Sequence, residues 1–301
     1  MEVIDGKLIS KKICDELCEQ TFDLKKRYQT TPGLAVVMIG EDPPSKIYVR
    51  RKVKTAKELG IHSLNYELPE DATQKDVLDL VHNLNKDKSI HGILVQSPPP
   101  AGIDERQIIE TINPAKDVDC FHPYNVGRLT IGDEDGFLPC TPAGIMVLLS
   151  RYKVKTEGKH AVVIGRSNIV GKPLALLLSR KSHNANATVT LCHSRTKNIA
   201  SITQDADILI SALGHAEFVK AEMVKKNVIV IDVGINRVPD QSRKSGYRLV
   251  GDVDYQEVYQ KASLITPVPG GVGPMTIAIL MYNTIKACCL QNQIPLSYKL
   301  F

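Results

Sequence analysis

The feature that most constrains the fold is a regular alternation of short apolar runs with helical or loop segments after about residue 159. The first run, residues 160–164, is followed at once by Gly165 and a helical pattern. Further strand candidates lie at residues 187–192, 206–211, 228–233 and 264–266. Strands that alternate with helices form parallel sheets with right-handed crossovers, so this part of the chain predicts a Rossmann-like parallel sheet.

The first part of the chain predicts another α/β unit. Residues 34–40 are a continuous apolar run, as in a buried parallel strand, and residues 90–96 predict the next buried strand. Between them, Ser45 is a candidate N-cap for a helix that stops at Gly60.

A Pro-Cys-Thr-Pro segment at residues 139–142 indicates a boundary between the two units. We therefore expect an α/β protein with two α/β units. The first covers residues 1–139 and is completed by a C-terminal helix over 275–301, and the second is a Rossmann-like unit over 140–274.

Composition excludes some classes and leaves others open. Hydrophobic residues make up 43% and charged residues 24% of the chain, which is ordinary for a globular protein. We expect no secretory signal and no membrane span, because charged residues interrupt the apolar runs. The seven cysteines are scattered, without a Cys-x-x-Cys pair, so we expect a cytoplasmic protein without a metal site or disulfides. The net charge of +5 suits an anionic small molecule as well as a nucleic acid.

The loop after residues 160–164 is a candidate dinucleotide site. Gly165 permits a tight turn at the strand end, and the next helix N-terminus presents N–H groups to a pyrophosphate. Ser167 stands where the usual motif has its second glycine, so a purely structural turn is about as plausible.

The loop after the next strand indicates which dinucleotide binds. Residues 192–196 contain no carboxylate for a ribose 2′-hydroxyl. Arg166, Ser194 and Arg195 could instead surround a 2′-phosphate, which favours NADP over NAD. The alternative is that both arginines are ordinary surface charges.

The helix after Ser45 is strongly basic. Tyr48 and Lys52 are four residues apart and share a face, so Lys52 is a candidate general base and Tyr48 a candidate stacking platform. Gln96 at a strand end and Asp119 in a later turn could join them. A solvated basic face and loop-capping side chains are the alternatives. The cations of the helix are Lys46, Arg50, Arg51, Lys52, Lys54 and Lys57.

Residues 267–276 combine three prolines with three glycines directly before an apolar helix. Such a segment is shaped rather than flexible, since proline fixes φ and glycine permits close approach to the backbone. It predicts either a ligand-facing wall or a plain strand-to-helix loop.

Together these motifs resemble the bifunctional methylenetetrahydrofolate dehydrogenase/methenyltetrahydrofolate cyclohydrolase (FolD) family. The matching segments occur in order along nearly the whole chain. They are residues 45–52, 92–96, 116–119, 139–142, 163–171, 231–236 and 267–276.

The resemblance implies two reactions in a cleft between the two units. NADP oxidises 5,10-methylenetetrahydrofolate to the methenyl cation, and water then converts the cation to 10-formyltetrahydrofolate, within the one-carbon metabolism that supplies purine biosynthesis. It implies that Lys52 is the general base, Tyr48 positions the folate, Gln96 tunes the lysine and Asp119 anchors the pterin. It also implies a homodimer through the nucleotide-binding unit.

The resemblance further implies two sets of contacts. The substrate-binding residues are Tyr48, Val49, Arg50, Arg51, Lys52, Val95, Gln96, Ser97, Asp119, Pro269, Gly270, Gly271, Val272, Gly273, Pro274, Met275 and Thr276. The cofactor-binding residues are Gly165, Arg166, Ser167, Ser194, Arg195 and Ile235.

Two departures from the family pattern adjoin the expected folate contacts. Cys120 stands where the family has glycine after the aspartate, and Ser97 to Pro100 replace a Leu-Pro-Leu-Pro segment. The rival hypotheses are a monofunctional or NAD-preferring folate dehydrogenase and a non-enzymatic nucleotide-binding module. We expect no nucleic-acid partner, because the basic helix lacks interleaved aromatic residues.

Overall fold

The structure is a computed structural model that describes residues 2–133, 135–243 and 246–300. Its strands in these residues are β1 (Glu2–Val3), β2 (Gly33–Ile39), β3 (His62–Leu68), β4 (Gly92–Val95), β5 (His160–Ile164), β6 (Thr188–Cys192), β7 (Ile208–Ser211), β8 (Ile229–Asp232), β9 (Asn236–Pro239), β10 (Tyr247–Val250) and β11 (Leu264–Ile265).

The helices connect these strands and cover the sheets. They are α1 (Gly6–Tyr28), α2 (Pro43–Glu58), α3 (Gln74–Lys86), α4 (Glu105–Thr111), α5 (Pro123–Thr130), α6 (Cys140–Arg151), α7 (Gly171–Ser179), α8 (Ile199–Gln204), α9 (Tyr255–Tyr259) and α10 (Val272–Gln291).

The chain divides into two compact units. The six-strand unit combines the chain up to Ser10 with Thr141–Thr276, and the three-strand unit combines Lys11–Cys140 with Ile277–Leu300. The first ten residues therefore lie in the six-strand unit, whereas the sequence interpretation placed them with the first domain. Pairing explains this, because β1 adds to β11 in parallel.

The six-strand unit contains a parallel sheet in the order β1-β11-β8-β7-β5-β6, as expected for a Rossmann-like unit. Residues 161–164 of β5 are fully buried, because a central parallel strand is covered on both faces. The carboxyl ends of β5, β6, β7 and β8 lie at one edge of this sheet, where open α/β sheets bind ligands. A separate antiparallel hairpin pairs β9 with β10.

The three-strand unit contains a parallel sheet in the order β3-β2-β4. All of β2 is buried, and one face of the sheet packs against α3 and α4 through residues such as Val37, Val81 and Ile108. The predicted α/β fold class is thus confirmed.

The start of α2 differs from the sequence prediction. Asp42, not Ser45, is the N-cap, and its carboxylate accepts a hydrogen bond of 2.9 Å from the Ser45 N–H. Pro43 and Pro44 occupy the first two helical positions, where a missing N–H has no cost. The helix therefore begins earlier than expected.

Within the described residues, α10 is long and apolar enough to cross a membrane by length and composition alone. However, 72% of its apolar window is buried inside the fold, as in a core helix of a globular protein. The helix therefore does not indicate a membrane span.

Candidate active site

A lysine and a glutamine from different elements meet in the three-strand unit. Lys52 lies in α2 and Gln96 directly follows β4, and the Lys52 Nζ donates to the Gln96 Oε1 at 3.0 Å. Lys52 is only 9% exposed, although five other cations lie on the same helix. The Gln96 Nε2 donates to the Ser97 carbonyl at 2.8 Å, which turns the amide oxygen toward the lysine.

The remaining residues of the basic helix take different environments. Tyr48 is half-buried, and this burial raises the pKa of its phenol, although nearby Arg51 opposes the shift. Arg50 and Arg51 are exposed, whereas Val49 is 2% exposed and belongs to the core. Tyr48, Arg50 and Arg51 thus have surface available to a ligand, and the Val49 side chain does not.

Asp119 faces Lys52 from the loop after α4. Burial raises the pKa of its carboxyl group, while the Lys52 ammonium acts in the opposite direction. The Cys140 Sγ donates to the Asp119 Oδ1 at 3.4 Å. Burial also raises the pKa of the Cys140 thiol, so this group is a donor rather than a nucleophile.

Cys140 was not among the residues predicted from the sequence. It belongs to the Pro-Cys-Thr-Pro segment, which the sequence interpretation used as a boundary marker and as a family-matching segment, without a site role for its residues. The order of that segment carries no signal that its thiol contacts Asp119.

The neighbouring Asp117 has a structural role. It is 3% exposed and accepts hydrogen bonds from the Phe121 N–H at 3.1 Å, the His122 N–H at 2.9 Å and the Asn125 amide at 2.8 Å. These bonds hold the chain that follows Asp119. The Asp-Val-Asp motif therefore combines one loop-forming carboxylate with one, that of Asp119, that is partly exposed and accepts from the Cys140 thiol.

Cys120 adopts the backbone conformation usual for glycine. Its φ is +62°, in the left-handed region, and its side chain is fully buried. The Sγ donates to the Phe137 carbonyl at 3.2 Å. The cysteine therefore preserves a glycine-type turn and directs its side chain toward Phe137.

A small cavity of about 20 Å³ adjoins this group, with room for about one water molecule. Val95, Gln96, Asp119 and Phe121 are among the residues that line it. The structure thus brings Lys52, Gln96 and Asp119 together and places a small, mainly apolar cavity beside Gln96 and Asp119.

The Pro- and Gly-rich segment lies in the six-strand unit up to Thr276. Its Gly270 carbonyl accepts from the Lys7 N–H at 3.0 Å, and its Pro274 carbonyl accepts from the Ser10 hydroxyl at 3.1 Å. The Thr276 hydroxyl lies 2.9 Å from that of Thr141.

Only part of this segment is available to a ligand. Val272 and Met275 are 4% and 0% exposed, so their side chains belong to the core. Pro269 is exposed, and Gly270, Gly273, Pro274 and Thr276 are partly exposed, whereas Gly271 is buried.

The candidate dinucleotide loop follows β5 in the six-strand unit. Gly165 has a φ of +123°, and a Cβ there would lie 2.2 Å from the Ala212 carbonyl oxygen, so no side chain fits. The Ser167 hydroxyl accepts from the N–H groups of Val170 and Gly171, at 3.1 and 3.3 Å, and so supports the start of α7. This tight turn before a helix suits a pyrophosphate.

Three polar residues and one apolar residue are exposed near the carboxyl edge of the six-stranded sheet. Arg166 follows β5, and Ser194 and Arg195 follow the adjacent β6, so both loops leave neighbouring parallel strands. Ile235, after β8, is 44% exposed, so its side chain has surface available to a ligand.

Comparison with known families agrees with this architecture. Residues 4–119 match the family "Tetrahydrofolate dehydrogenase/cyclohydrolase, catalytic domain". Residues 139–292 match "Tetrahydrofolate dehydrogenase/cyclohydrolase, NAD(P)-binding domain".

Individual relatives are similar over almost their whole length. The chain is 56% identical to the bifunctional protein FolD of Chlorobium chlorochromatii over 288 residues, which are 95% of this chain and 98% of that protein. It is 52% identical to the bifunctional protein FolD of Chloroherpeton thalassium, with the same coverage.

Solved structures give the same result. The FolD methylenetetrahydrofolate dehydrogenase/cyclohydrolase of Campylobacter jejuni is 50% identical, with a TM-score of 0.91 over 98% of this chain and 100% of that one. The Trypanosoma brucei methylenetetrahydrofolate dehydrogenase-cyclohydrolase, solved with NADP and an inhibitor, is 41% identical, with a TM-score of 0.92 over 97% and 98% of the two chains. On the combined evidence of both domains and these relatives, the chain belongs to the tetrahydrofolate dehydrogenase/cyclohydrolase (FolD) family.

Proposed function

We propose a division of labour among the residues of this bifunctional enzyme. The chain is an NADP-dependent methylenetetrahydrofolate dehydrogenase and a methenyltetrahydrofolate cyclohydrolase of one-carbon metabolism. In our proposal, the folate is bound and converted by Lys52, Gln96 and Asp119, and NADP is bound by the loops after β5, β6 and β8. The observation that carries the proposal is the bond of 3.0 Å between the buried Lys52 Nζ and the Gln96 Oε1.

Lys52 acts as the general base of the hydrolytic step. A water oxygen bonds to the methenyl carbon while one water proton passes to the Lys52 Nζ. The bond from that carbon to N5 then breaks, N5 takes up a proton as the hydroxyl proton leaves, and the formyl group stays on N10. One proton is released overall.

Gln96 and Asp119 prepare this step. The Gln96 amide holds the Lys52 amine in one direction, because its own N–H₂ group is fixed on the Ser97 carbonyl. Asp119 offers a carboxyl group to the N–H donors of the pterin ring, and the Tyr48 ring stacks against the folate.

The residues after β5 and β6 fit NADP. The Gly165 turn admits only backbone beside the ligand, and the exposed Arg166, Ser194 and Arg195 suit a 2′-phosphate. When bound, NADP accepts the hydride of the methylene carbon.

We also propose a homodimer and a cytoplasmic location. β6 ends the six-stranded sheet, so its free edge is available for pairing with a second copy. Five cysteines, Cys120, Cys140, Cys192, Cys288 and Cys289, are buried thiols without a disulfide, as in a protein of a reducing compartment. Light scattering after size-exclusion chromatography tests the dimer, and a monomeric mass would contradict it.

A product assay tests the division of labour. Purified protein is mixed with 5,10-methylenetetrahydrofolate and NADP, and NADPH, methenyl and 10-formyl products are followed. We expect Lys52→Met to abolish hydrolysis while NADP binding persists. Lys46→Met is the matched control, because Lys46 lies on the same helix but pairs with Glu41. Hydrolysis at the wild-type rate by Lys52→Met would refute the base assignment.

A second assay tests the 2′-phosphate contact. We expect Arg166→Ala to raise KM for NADP more than KM for NAD, by about tenfold in the ratio, since one charge-assisted bond is lost. Arg237→Ala is the control, because that guanidinium stacks on Tyr247 in the β9–β10 hairpin. An unchanged ratio in Arg166→Ala removes Arg166 from the 2′-phosphate site.

A further inference from the structure

Two aspartates lie buried beneath the loops at the carboxyl edge of the six-stranded sheet. Asp232 ends β8 and is 3% exposed, and Asp252 follows β10 and is fully buried. Buried carboxylates are costly unless several donors satisfy them. The hydrogen-bond donors to the two carboxylates show which loops these side chains hold in place.

The Asp252 carboxylate accepts hydrogen bonds from three consecutive residues of the loop after β7. Its Oδ2 accepts from the N–H groups of Leu213 and Gly214, at 2.6 and 3.1 Å. Its Oδ1 accepts from the His215 N–H and the Asn236 side-chain amide, both at 2.9 Å. One carboxylate therefore fixes three consecutive residues after β7 and one residue after β8.

Asp232 fixes the other side of this arrangement. Its Oδ1 accepts from the N–H groups of Gly234 and Asp252, at 3.0 and 2.9 Å, and its Oδ2 accepts from that of Val253 at 2.9 Å. A Cβ at Gly251 would lie 1.8 Å from that Oδ2, so the carboxylate is packed directly against backbone. Asp232 thus holds Asp252 itself in place.

The loops that these carboxylates hold lie on one side of the candidate dinucleotide turn. A Cβ at Gly165 would lie 2.2 Å from the carbonyl oxygen of Ala212, which starts the loop after β7. Ile235 stands 44% exposed between Gly234 and Asn236, which are each bonded to one of the two aspartates.

The strand order indicates which half of the dinucleotide reaches these loops. β5 carries the pyrophosphate turn, and β6 beside it carries Ser194 and Arg195 for the 2′-phosphate of the adenosine half. The nicotinamide half then extends to the opposite side, over β7 and β8.

We propose that Asp232 and Asp252 are positioning residues for hydride transfer, because they hold residues 213–215 and 234–236 where the nicotinamide half of NADP binds. The proposal rests on the NADP site proposed above. It also states that hydrolysis does not use these residues, since Lys52, Gln96 and Asp119 belong to the three-strand unit.

The test compares the two activities of one Asp252→Asn preparation. Asparagine keeps the shape but replaces one acceptor oxygen with N–H₂, which cannot accept from the Leu213 and Gly214 N–H groups. We expect KM for NADP to rise about tenfold or more and the dehydrogenase kcat to fall. Hydrolysis of methenyltetrahydrofolate, assayed without NADP, should stay within about twofold of wild type.

Asp207→Asn is the matched control. Asp207 directly precedes β7 at the opposite edge of the same sheet, and its carboxylate also accepts a backbone N–H, that of His160 at 3.0 Å. We expect neither activity to change. A rise in KM for NADP in Asp207→Asn equal to that in Asp252→Asn would show general destabilisation and overturn the proposal.

Asn236→Ala provides a second test that does not alter a buried charge. It removes one donor to Asp252 and leaves the three backbone donors, so we expect KM for NADP to rise about threefold with hydrolysis unchanged. If Asp252→Asn does not fold, KM for NADP and hydrolysis in Asn236→Ala test the proposal instead. The proposal is overturned if hydrolysis in the variant falls together with the NADP kinetics, or if KM for NADP does not change. Absence of NADP reduction by the wild-type enzyme would instead refute the proposed function itself.

Discussion

At the scale of single residues, the Gln96 amide shows how a neutral side chain can control a base. Its N–H₂ group is committed to the Ser97 carbonyl, so only its oxygen faces the Lys52 Nζ. A neutral acceptor orients the amine without adding a charge that would favour the ammonium form.

Gln96→Glu tests this role, because a carboxylate would favour the charged form of Lys52. We expect hydrolysis to fall about a hundredfold, as for loss of a general base, while the dissociation constant for NADP stays unchanged. Stopped-flow loss of methenyl absorbance and a binding titration measure the two quantities. Gln107→Glu is the control, since Gln107 bonds only to the surface residue Gln74 through its side chain. Wild-type hydrolysis by Gln96→Glu would contradict the orienting role.

Cys140 offers a second prediction at this scale. Cys140→Ala removes the S–H donor to Asp119, so we expect KM for the folate substrate to rise about two- to tenfold with KM for NADP unchanged. Cys140→Ser should retain most of the affinity, because its hydroxyl can donate to the same oxygen. Cys288→Ala provides the control for losing a buried thiol elsewhere. Equal KM values for the alanine and serine variants would show that the donor is unimportant.

At the scale of elements, α10 stabilises the loop that carries Asp119. The Asn283 amide is 1% exposed and donates to the Val118 and Leu138 carbonyls, both at 2.8 Å. One side chain of the last helix thus joins two separate loop segments of the three-strand unit.

Asn283→Ala leaves two buried carbonyls without this donor. We expect the free energy of unfolding to fall by about 2–4 kcal/mol, measured by urea denaturation. Thr284→Val is the control, because the Thr284 hydroxyl only bonds back to the Leu280 carbonyl of its own helix, and it should cost less than about 1 kcal/mol. Similar losses in both variants would show that packing dominates.

Elements differ in how well the sequence predicts them. β2, β5 and β7 are buried on both faces and therefore consist mainly of apolar residues, which made them predictable from the sequence. β3 and the β9–β10 hairpin were not predicted, because they carry exposed polar residues such as Asn65 and Arg237.

The candidate site was predictable where residues share a helix face or end a strand, and the family resemblance then assigned roles to them. Lys52 and Gln96 were predicted and lie 3.0 Å apart. Asp252 and Cys140 were not, because their roles depend on hydrogen bonds between segments far apart in the chain. Local spacing contains no record of such bonds.

At the scale of the whole molecule, burial of Asp232 links stability to pH. Burial and the neighbouring Asp252 raise the pKa of Asp232 to about 7, although three backbone N–H groups oppose the shift. The unfolded chain has the ordinary value of 3.8, so the folded state binds more protons between these two pH values. Stability from this group therefore falls as pH rises from about 4 to about 7.

Asp232→Asn tests this linkage. We expect the variant to be less stable than wild type at acidic pH, and the difference to shrink with a slope approaching about 1.4 kcal/mol per pH unit between pH 5 and 6.5. Urea denaturation across this range measures it. A difference that is constant with pH, or that grows as pH rises, would show that Asp232 is charged throughout.

The path of the chain has a consequence for its synthesis. β1, made first, pairs with β11, and the segment from Ile277 completes the unit that begins at Lys11. On the ribosome, the six-strand unit cannot be completed before β11 has been made, and the three-strand unit cannot be completed before the segment from Ile277 to Leu300 has been made. A nascent chain must therefore keep β1 unpaired until β11 has been made, and a product that terminates before Leu264 lacks part of both units. Cellular quality control would recognise such a product as an incompletely folded protein, because neither domain in it is intact.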